Sequence, residues 1–174
     1  MPKGPSIFAM DRPLFTGGRR FTQIGLILGD EKKGAQRFQE LFGLGGWSFY
    51  PIADLNPGLT YVNEKLVAAE DLPSLFVDVA SGYWGDMQLE LLRPVGKKPG
   101  GCHQAFYDKH GNGFQHLNLG PRVGDYYEIM DALRKEGIKP QFTSSRGDAT
   151  GITSYLSMEE QLGGFVLEWG GRKK

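Results

Sequence analysis

Two stretches of this chain follow the same plan, and that repetition restricts the fold more than any other feature. The first opens with Phe21-Thr22-Gln23-Ile24-Gly25-Leu26-Ile27-Leu28, an apolar strand carrying Gln23. The second opens with Phe114-Gln115-His116-Leu117-Asn118-Leu119, where His116 holds the corresponding place. Each continues through a helix into several short strands. Each closes on a strand with one glutamate among apolar residues, Glu90 in Leu89-Glu90-Leu91 and Glu168 in Leu167-Glu168-Trp169. An order of elements used twice is the mark of a duplicated supersecondary unit, here βαβββ, whose halves share one core.

The elements follow from local signals. Gly29-Asp30 breaks the first strand, and Asp30 is placed to cap a helix on which Ala35, Phe38, Leu41 and Phe42 share one face. Gly43-Leu44-Gly45-Gly46 ends it, because glycine accepts the left-handed cap conformation. Strands are predicted at Trp47–Ile52, Leu59–Val67, Leu75–Ala80 and Met87–Leu92, making a first copy of roughly 75 residues. A linker from Val95 to Gly113, rich at first in Gly, Pro and Lys, includes a short helix around His103–Lys109. The shorter second copy has a strand at Phe114–Leu119 and a helix at Gly124–Glu136 with Tyr126, Met130 and Leu133 on one side. Gly137 caps that helix, and strands follow at Pro140–Ser145, Thr153–Met158 and Gly164–Trp169. The expected division is an N-terminal arm at 1–20, a first module at 21–94, a linker at 95–113 and a second module at 114–174.

Composition enters only to exclude. Lys+Arg and Asp+Glu each number 20, so no basic excess points to nucleic acid or an anionic membrane, although Arg172, Lys173 and Lys174 form a small basic end. No apolar run approaches the roughly 18 residues that span a bilayer. The apolar stretch Ile7–Met10 is too short for a signal peptide. With Cys102 as its single cysteine the chain can form no internal disulfide and no thiolate-rich zinc site. A cytoplasmic protein is the expectation, and near-zero net charge favours a homodimer.

Glu90, Glu168, Gln23 and His116 each have an ordinary reading when taken singly. Either glutamate can face water on a half-exposed strand, Gln23 can sit at a strand edge, and His116 can be a hydrogen-bonded structural histidine. Taken together, each stands on a first or last strand of a repeat. If the repeats pair face to face, those strands line one concave surface and bring one donor each. A carboxylate buried among apolar neighbours is unfavourable unless paired or bound to a metal. Two carboxylates, an imidazole nitrogen and an amide oxygen suit an octahedral divalent ion such as Zn, Mn, Ni, Co or Mg, with two positions left for water or substrate.

The same segments resemble those of the vicinal oxygen chelate superfamily, the group of glyoxalase I, methylmalonyl-CoA epimerase, bleomycin resistance proteins and extradiol dioxygenases. Phe21–Leu28 is similar to that family's opening strand, with Gln23 where a metal histidine usually stands. Gln88-Leu89-Glu90-Leu91-Leu92-Arg93-Pro94 resembles its Glu-Leu-Leu-x-Pro strand. Gly111-Asn112-Gly113-Phe114-Gln115-His116-Leu117 resembles its Gly-x-Gly-x-His-His-hydrophobe segment, where His116 matches and Gln115 departs. Leu162-Gly163-Gly164-Phe165-Val166-Leu167-Glu168 resembles its closing Leu-Gly-Gly-x-x-x-Glu strand. The resemblance covers residues 21 to 170. It implies an α+β fold of two paired βαβββ modules forming a curved mixed sheet around a metal-binding groove.

It also implies a chemistry. In that family the metal engages two neighbouring oxygens of a substrate, stabilises an enolate or enediolate, and leaves a glutamate to move the proton. The leading expectation is a metal-dependent lyase, isomerase or epimerase acting on a small carbonyl compound, with Glu168 as base and Glu90 as its alternative. Glyoxalase I shares the donor set, but no arginines here match its glutathione contacts. An Fe(II) ring-cleaving dioxygenase wants two histidines and one carboxylate, and Gln23 occupies the first histidine position. A metal-free antibiotic-binding protein lacks ligand residues, which this chain has. Trp47, Phe49, Trp84, Tyr107 and His103 are the candidate substrate contacts; core packing and solvated loops are their ordinary roles. Arg146, in a probable turn, is a candidate for greeting an anionic substrate.

Overall fold

The computed structural model describes residues 20–96, 100–120, 126–145, 151–158 and 164–172. Of the expected arm at 1–20, residues 1–19 lie outside the described residues, as do Arg146, Lys173 and Lys174; Arg20 opens the first strand. The first module runs β1 (Arg20–Ile27), α1 (Glu31–Phe42), β2 (Ser48–Ile52), β3 (Tyr61–Val62), β4 (Lys65–Leu66), β5 (Val77–Trp84) and β6 (Met87–Pro94). After α2 (Cys102–His110) come β7 (Gly113–Gly120), α3 (Tyr126–Lys135), β8 (Pro140–Ser145), β9 (Gly151–Ser157) and β10 (Val166–Arg172). Among the described residues no helix is long and apolar enough to cross a membrane.

The strands form one curved mixed sheet of ten, ordered β2-β5-β6-β1-β7-β10-β9-β8-β3-β4. Without the β3–β4 hairpin, the order reads outward identically from the β1·β7 junction in both directions. β1 and β7 pair antiparallel, and each pairs parallel with its own closing strand, β6 or β10. The modules are therefore joined edge to edge, not face to face as the sequence reading supposed. Main-chain pairing of two opening strands removes two unpaired sheet edges at once.

Alternation along the strands divides the sheet into two faces. On the outer face, Leu26, Leu28, Ala80 and Leu91 pack with Ala35 and Phe38 of α1. Asp30 accepts a hydrogen bond from Lys33 N at 2.9 Å, and Gly43 ends the helix at φ 68°, both as the sequence indicates. The buried Glu31 meets Arg93 at 2.7 Å, fastening the first turn to β6. Leu41 and Phe42 do not continue the buried face: they are 68% and 57% exposed, and Phe42 stacks on Trp84 where the last turn projects beyond the sheet contact. In the second module α3 buries Tyr126, Met130 and Leu133 against Ile152, Leu156, Leu167 and Trp169.

The predicted strand at Leu59–Val67 is instead the β3–β4 hairpin, turned by Asn63 and Glu64, both at positive φ as a two-residue turn of the primed type requires. Tyr61 and Val62 pair with Thr143 and Phe142 of β8, in the other module. Residues 53–76 therefore cross from the first module to the far edge of the second, which is why the first copy is longer. They bring Leu55, Leu72 and Leu75, the last two from a 3-10 turn at Ala69–Leu75, against Phe142, Tyr155 and Val166.

Candidate metal centre

The inner face of the sheet carries the residues singled out by the repeat. Gln23, Glu90, His116 and Glu168 lie on β1, β6, β7 and β10, the four adjacent strands around the β1·β7 junction, and are 8%, 7%, 0% and 4% exposed. All four belong to one chain, two from each module. The Gln23 amide nitrogen lies 2.6 Å from Glu90 Oε2, 3.3 Å from His116 Nε2 and 3.3 Å from Glu168 Oε2. His116 Nε2 is 3.7 Å from Glu90 Oε2 and 3.4 Å from Glu168 Oε2.

Two bulges aim these side chains. Opposite β7, Gly25 pairs with His116 and Leu26 with Phe114, so Gln115 is an extra residue. Opposite β1, Leu119 pairs with Phe21 and Asn118 with Gln23, so Thr22 is extra. A bulge redirects the side chains around it, and each one immediately precedes a site residue. The bulge lets adjacent Gln115 and His116 meet side by side, with Gln115 Oε1 at 2.9 Å from His116 Nδ1.

That contact decides the imidazole tautomer. Gln115 Nε2 donates to the Cys102 carbonyl at 3.3 Å, so its carbonyl end must face His116. His116 Nδ1 therefore carries a proton to donate, and Nε2 is the ring nitrogen that faces the two glutamates. A hydrogen bond of this kind at the far nitrogen fixes the plane of the ring, as an imidazole needs in order to hold an ion. Gly25 makes room for it: a Cβ there would stand 1.9 Å from His116 Cε1.

The donor set fits a divalent cation. One ligand atom each from Glu90, His116 and Glu168 lies within 4.8 Å of the others. A half-turn of the Gln23 amide exchanges N for O at the same point. Two carboxylates match the ion's charge, and the oxygen-rich set with one nitrogen suits Zn, Mn, Ni, Co or Mg.

Gln23, Glu90 and Glu168 form part of the wall of a cavity of about 470 Å³, with the fully buried His116 beside them; its other walls include Tyr50 and Ile52 of β2, Leu55 and Leu75 of the crossing segment, and Phe142, Ser145, Thr153 and Tyr155 of β8 and β9. Its described lining contains no lysine or arginine. His103, at the start of α2, also lines it; burial, and then the neighbouring His116, lower its pKa to about 3, so the ring is neutral. Burial pushes the Cys102 thiol up to about 12, making it unreactive.

The other candidate contacts lie elsewhere. Trp47 packs beside Phe38 and over Gly82, and its Nε1 donates to the Leu44 carbonyl at 2.8 Å. Phe49 is half exposed. Trp84 stacks on Phe42, and Tyr107 packs with Ile27, Val77 and Leu92. Strand alternation and helix packing send these rings away from the groove. Conversely, the sequence reading passed over Gly25, Gln115 and Tyr155. A glycine inside an apolar strand was the available signal for Gly25, because it marks a close approach. Tyr155 carries no local signal that sets it apart from a core aromatic; its ring stands edge-on to both His103 and His116, with centroids 4.9 and 5.1 Å away.

Comparison with solved structures places the fold. A hypothetical protein from Bacillus halodurans aligns with a TM-score of 0.56 at 15% identity, over 91% of this chain and 97% of that one. A Streptomyces coelicolor methylmalonyl-CoA epimerase variant in complex with 2-nitronate-propionyl-CoA aligns with a TM-score of 0.58 at 17% identity, over 88% and 94%. The Mycobacterium tuberculosis methylmalonyl-CoA epimerase aligns with a TM-score of 0.55 at 17% identity, over 97% and 95%. No curated protein sequence matches. The sequence pattern of one family matches residues 22–155, most of the chain, from β1 into β9. With both the fold and that match in place, the chain belongs to the Glyoxalase/Bleomycin resistance protein/Dioxygenase superfamily.

Proposed function

We propose that Gln23, Glu90, His116 and Glu168 hold one divalent metal ion, and that the protein is a lyase, isomerase or epimerase that moves a proton next to a substrate carbonyl. The observation that carries this reading is the convergence, within one chain, of two buried carboxylates and an imidazole nitrogen within 4.8 Å, with both carboxylates lining a cavity large enough for a small substrate. When bound, the ion supplies a Lewis acid that stabilises negative charge growing on a substrate oxygen.

The chain's own residues perform the rest. Glu168 takes the proton from the carbon beside the carbonyl and returns it to a neighbouring atom for an isomerase; for an epimerase Glu90, protonated, delivers a proton to the opposite face of the same carbon while Glu168 keeps the one it took. Gln23 Nε2 lies 2.6 Å from Glu90 Oε2 and 3.3 Å from Glu168 Oε2, so both carboxylates are within reach of the same amide.

The test begins with metal content of purified protein by elemental mass spectrometry, beside His116→Ala. About one divalent ion per chain, lost in the variant, is the expected result. Transfer of deuterium from D2O into the carbon next to the carbonyl is then followed with methylmalonyl-CoA and with the hemithioacetal of methylglyoxal and glutathione as first substrates. Glu168→Gln should lower exchange by roughly 100- to 10,000-fold with its Tm little changed. A parent protein that takes up no ion from any divalent salt would overturn the reading.

A further inference from the structure

Two polar atoms in the cavity wall have no hydrogen-bond partner although both residues are more than nine-tenths buried: His103 Nε2, on a residue 7% exposed, and Ser145 Oγ, on a residue 2% exposed. They come from different elements, α2 and β8, and both residues line the cavity that the four-residue cluster faces. A buried polar group without a partner is unfavourable, so natural chains seldom keep one unless something fills the gap. Here two share one cavity, beside the residues that would hold the ion.

We propose that His103 Nε2 donates a hydrogen bond to an uncharged acceptor oxygen of the substrate, an amide, ester or ketone carbonyl, with Ser145 Oγ as the second polar contact of that subsite. The inference rests on the metal-centre reading and adds to it a substrate class: a chelating carbonyl compound that bears a further neutral oxygen. The ring's surroundings favour the donor form. Cys102 Sγ lies 3.8 Å from His103 Nδ1, and the thiol keeps its proton; donated to Nδ1, it leaves Nε2 to carry the single ring proton, an arrangement that side-chain nitrogen NMR tests. Tyr155 and Phe142 stand edge-on to the ring, at 4.9 and 6.2 Å between centroids, and fix its plane. An anion is disfavoured, because the described lining offers no lysine or arginine and contains both glutamates.

The experiment uses the full chain loaded with Co(II), whose visible absorption reports binding of a chelating hydroxamate. The two probes are malonamohydroxamate and its isostere isovalerohydroxamate, which share the chelating end and differ only in the neutral polar group. The parent should prefer the amide by about tenfold, the worth of one good hydrogen bond. His103→Leu should abolish that preference while leaving isovalerohydroxamate affinity within about twofold, since the apolar probe makes no bond to lose. Equal affinities in the parent, or a preference that survives His103→Leu, would overturn the proposal. Side-chain nitrogen NMR of the unsubstituted, metal-free protein supplies a second reading. The His103 Nε2 resonance should be that of a protonated nitrogen and should move on addition of malonamide; an unprotonated or unmoved Nε2 refutes the subsite. Failure to bind cobalt would defeat the metal-centre reading alone, because the malonamide response still decides the role of His103.

Discussion

The two modules correspond strand for strand, yet they furnish the centre differently. Gln23 and His116 each follow a bulge on an opening strand, and each faces the other module across the β1·β7 seam: Gln23 pairs with Asn118, His116 with Gly25. Glu90 pairs with Gly25 and Ser81, and Glu168 with Asn118 and Tyr155. The backbone positions are equivalent; the side chains are not. The first module contributes an amide, a glycine and a serine, and extends residues 53–76 across to β8. The second contributes an imidazole whose tautomer is pinned by Gln115 and a wall of aromatic rings. The comparison teaches that duplication supplied the geometry and later divergence supplied the chemistry, because an imidazole needs a space and an orienting partner that an amide does not.

The strongest way to break this comparison is to remove each opening residue in turn. His116→Ala should weaken metal binding beyond the roughly 100-fold that loss of an outer partner alone produces. Gln23→Ala, which removes a neutral ligand, should weaken it less; competition with a chromophoric chelator gives both constants, and equal losses would mean that the modules contribute alike. Next in size is the seam. Gly25→Ala should destabilise the fold by about 3 kcal/mol, the overpacking expected where a methyl meets a ring. Asn118→Ala, at the equivalent position, should stay within about 1 kcal/mol. Urea denaturation of the two variants would measure the difference.

A smaller effect is expected from the support of the imidazole. Gln115→Leu should cost about 10- to 100-fold in metal affinity, whereas Thr22→Val, on the other bulge, should leave the affinity within about twofold because no orienting bond is lost. The smallest effect is a pH dependence confined to the second module's side of the cavity. His103 has its folded pKa lowered from 6.5 to about 3, so the unfolded chain binds more protons between those values. Stability of the metal-free protein should therefore be full above about pH 6.5 and fall as pH drops toward 3. His103→Leu should flatten that limb in a series of thermal melts, and an unchanged slope would assign the acid sensitivity to other groups.

Much of this arrangement is legible along the chain. Polar side chains within otherwise apolar strands stand out because burial without a partner is unfavourable, and their recurrence on the first and last strands of both repeats picks out Gln23, Glu90, His116 and Glu168. Asp30, Gly43 and the buried face of α3 are equally local, since capping and helical spacing act over a few residues. The aromatic candidates fared differently. Trp47, Phe49, Trp84 and Tyr107 lie away from the cavity, while Tyr155 lines it, because a ring's destination depends on which face its strand presents and on what packs over it.

The sequence by itself determined the order of elements, the duplicated module and the four polar residues that set it apart. These follow from side-chain periodicity and from the local chemistry of caps and turns. Only the tertiary structure decided that the modules join through β1 and β7, that bulges at Thr22 and Gln115 aim the ligands, that Gly25 yields its place to His116, and that residues 53–76 cross over to β8. The reason is register. Pairing between strands far apart in sequence is set by the whole core at once, and a slip of one residue would turn every donor to the opposite face.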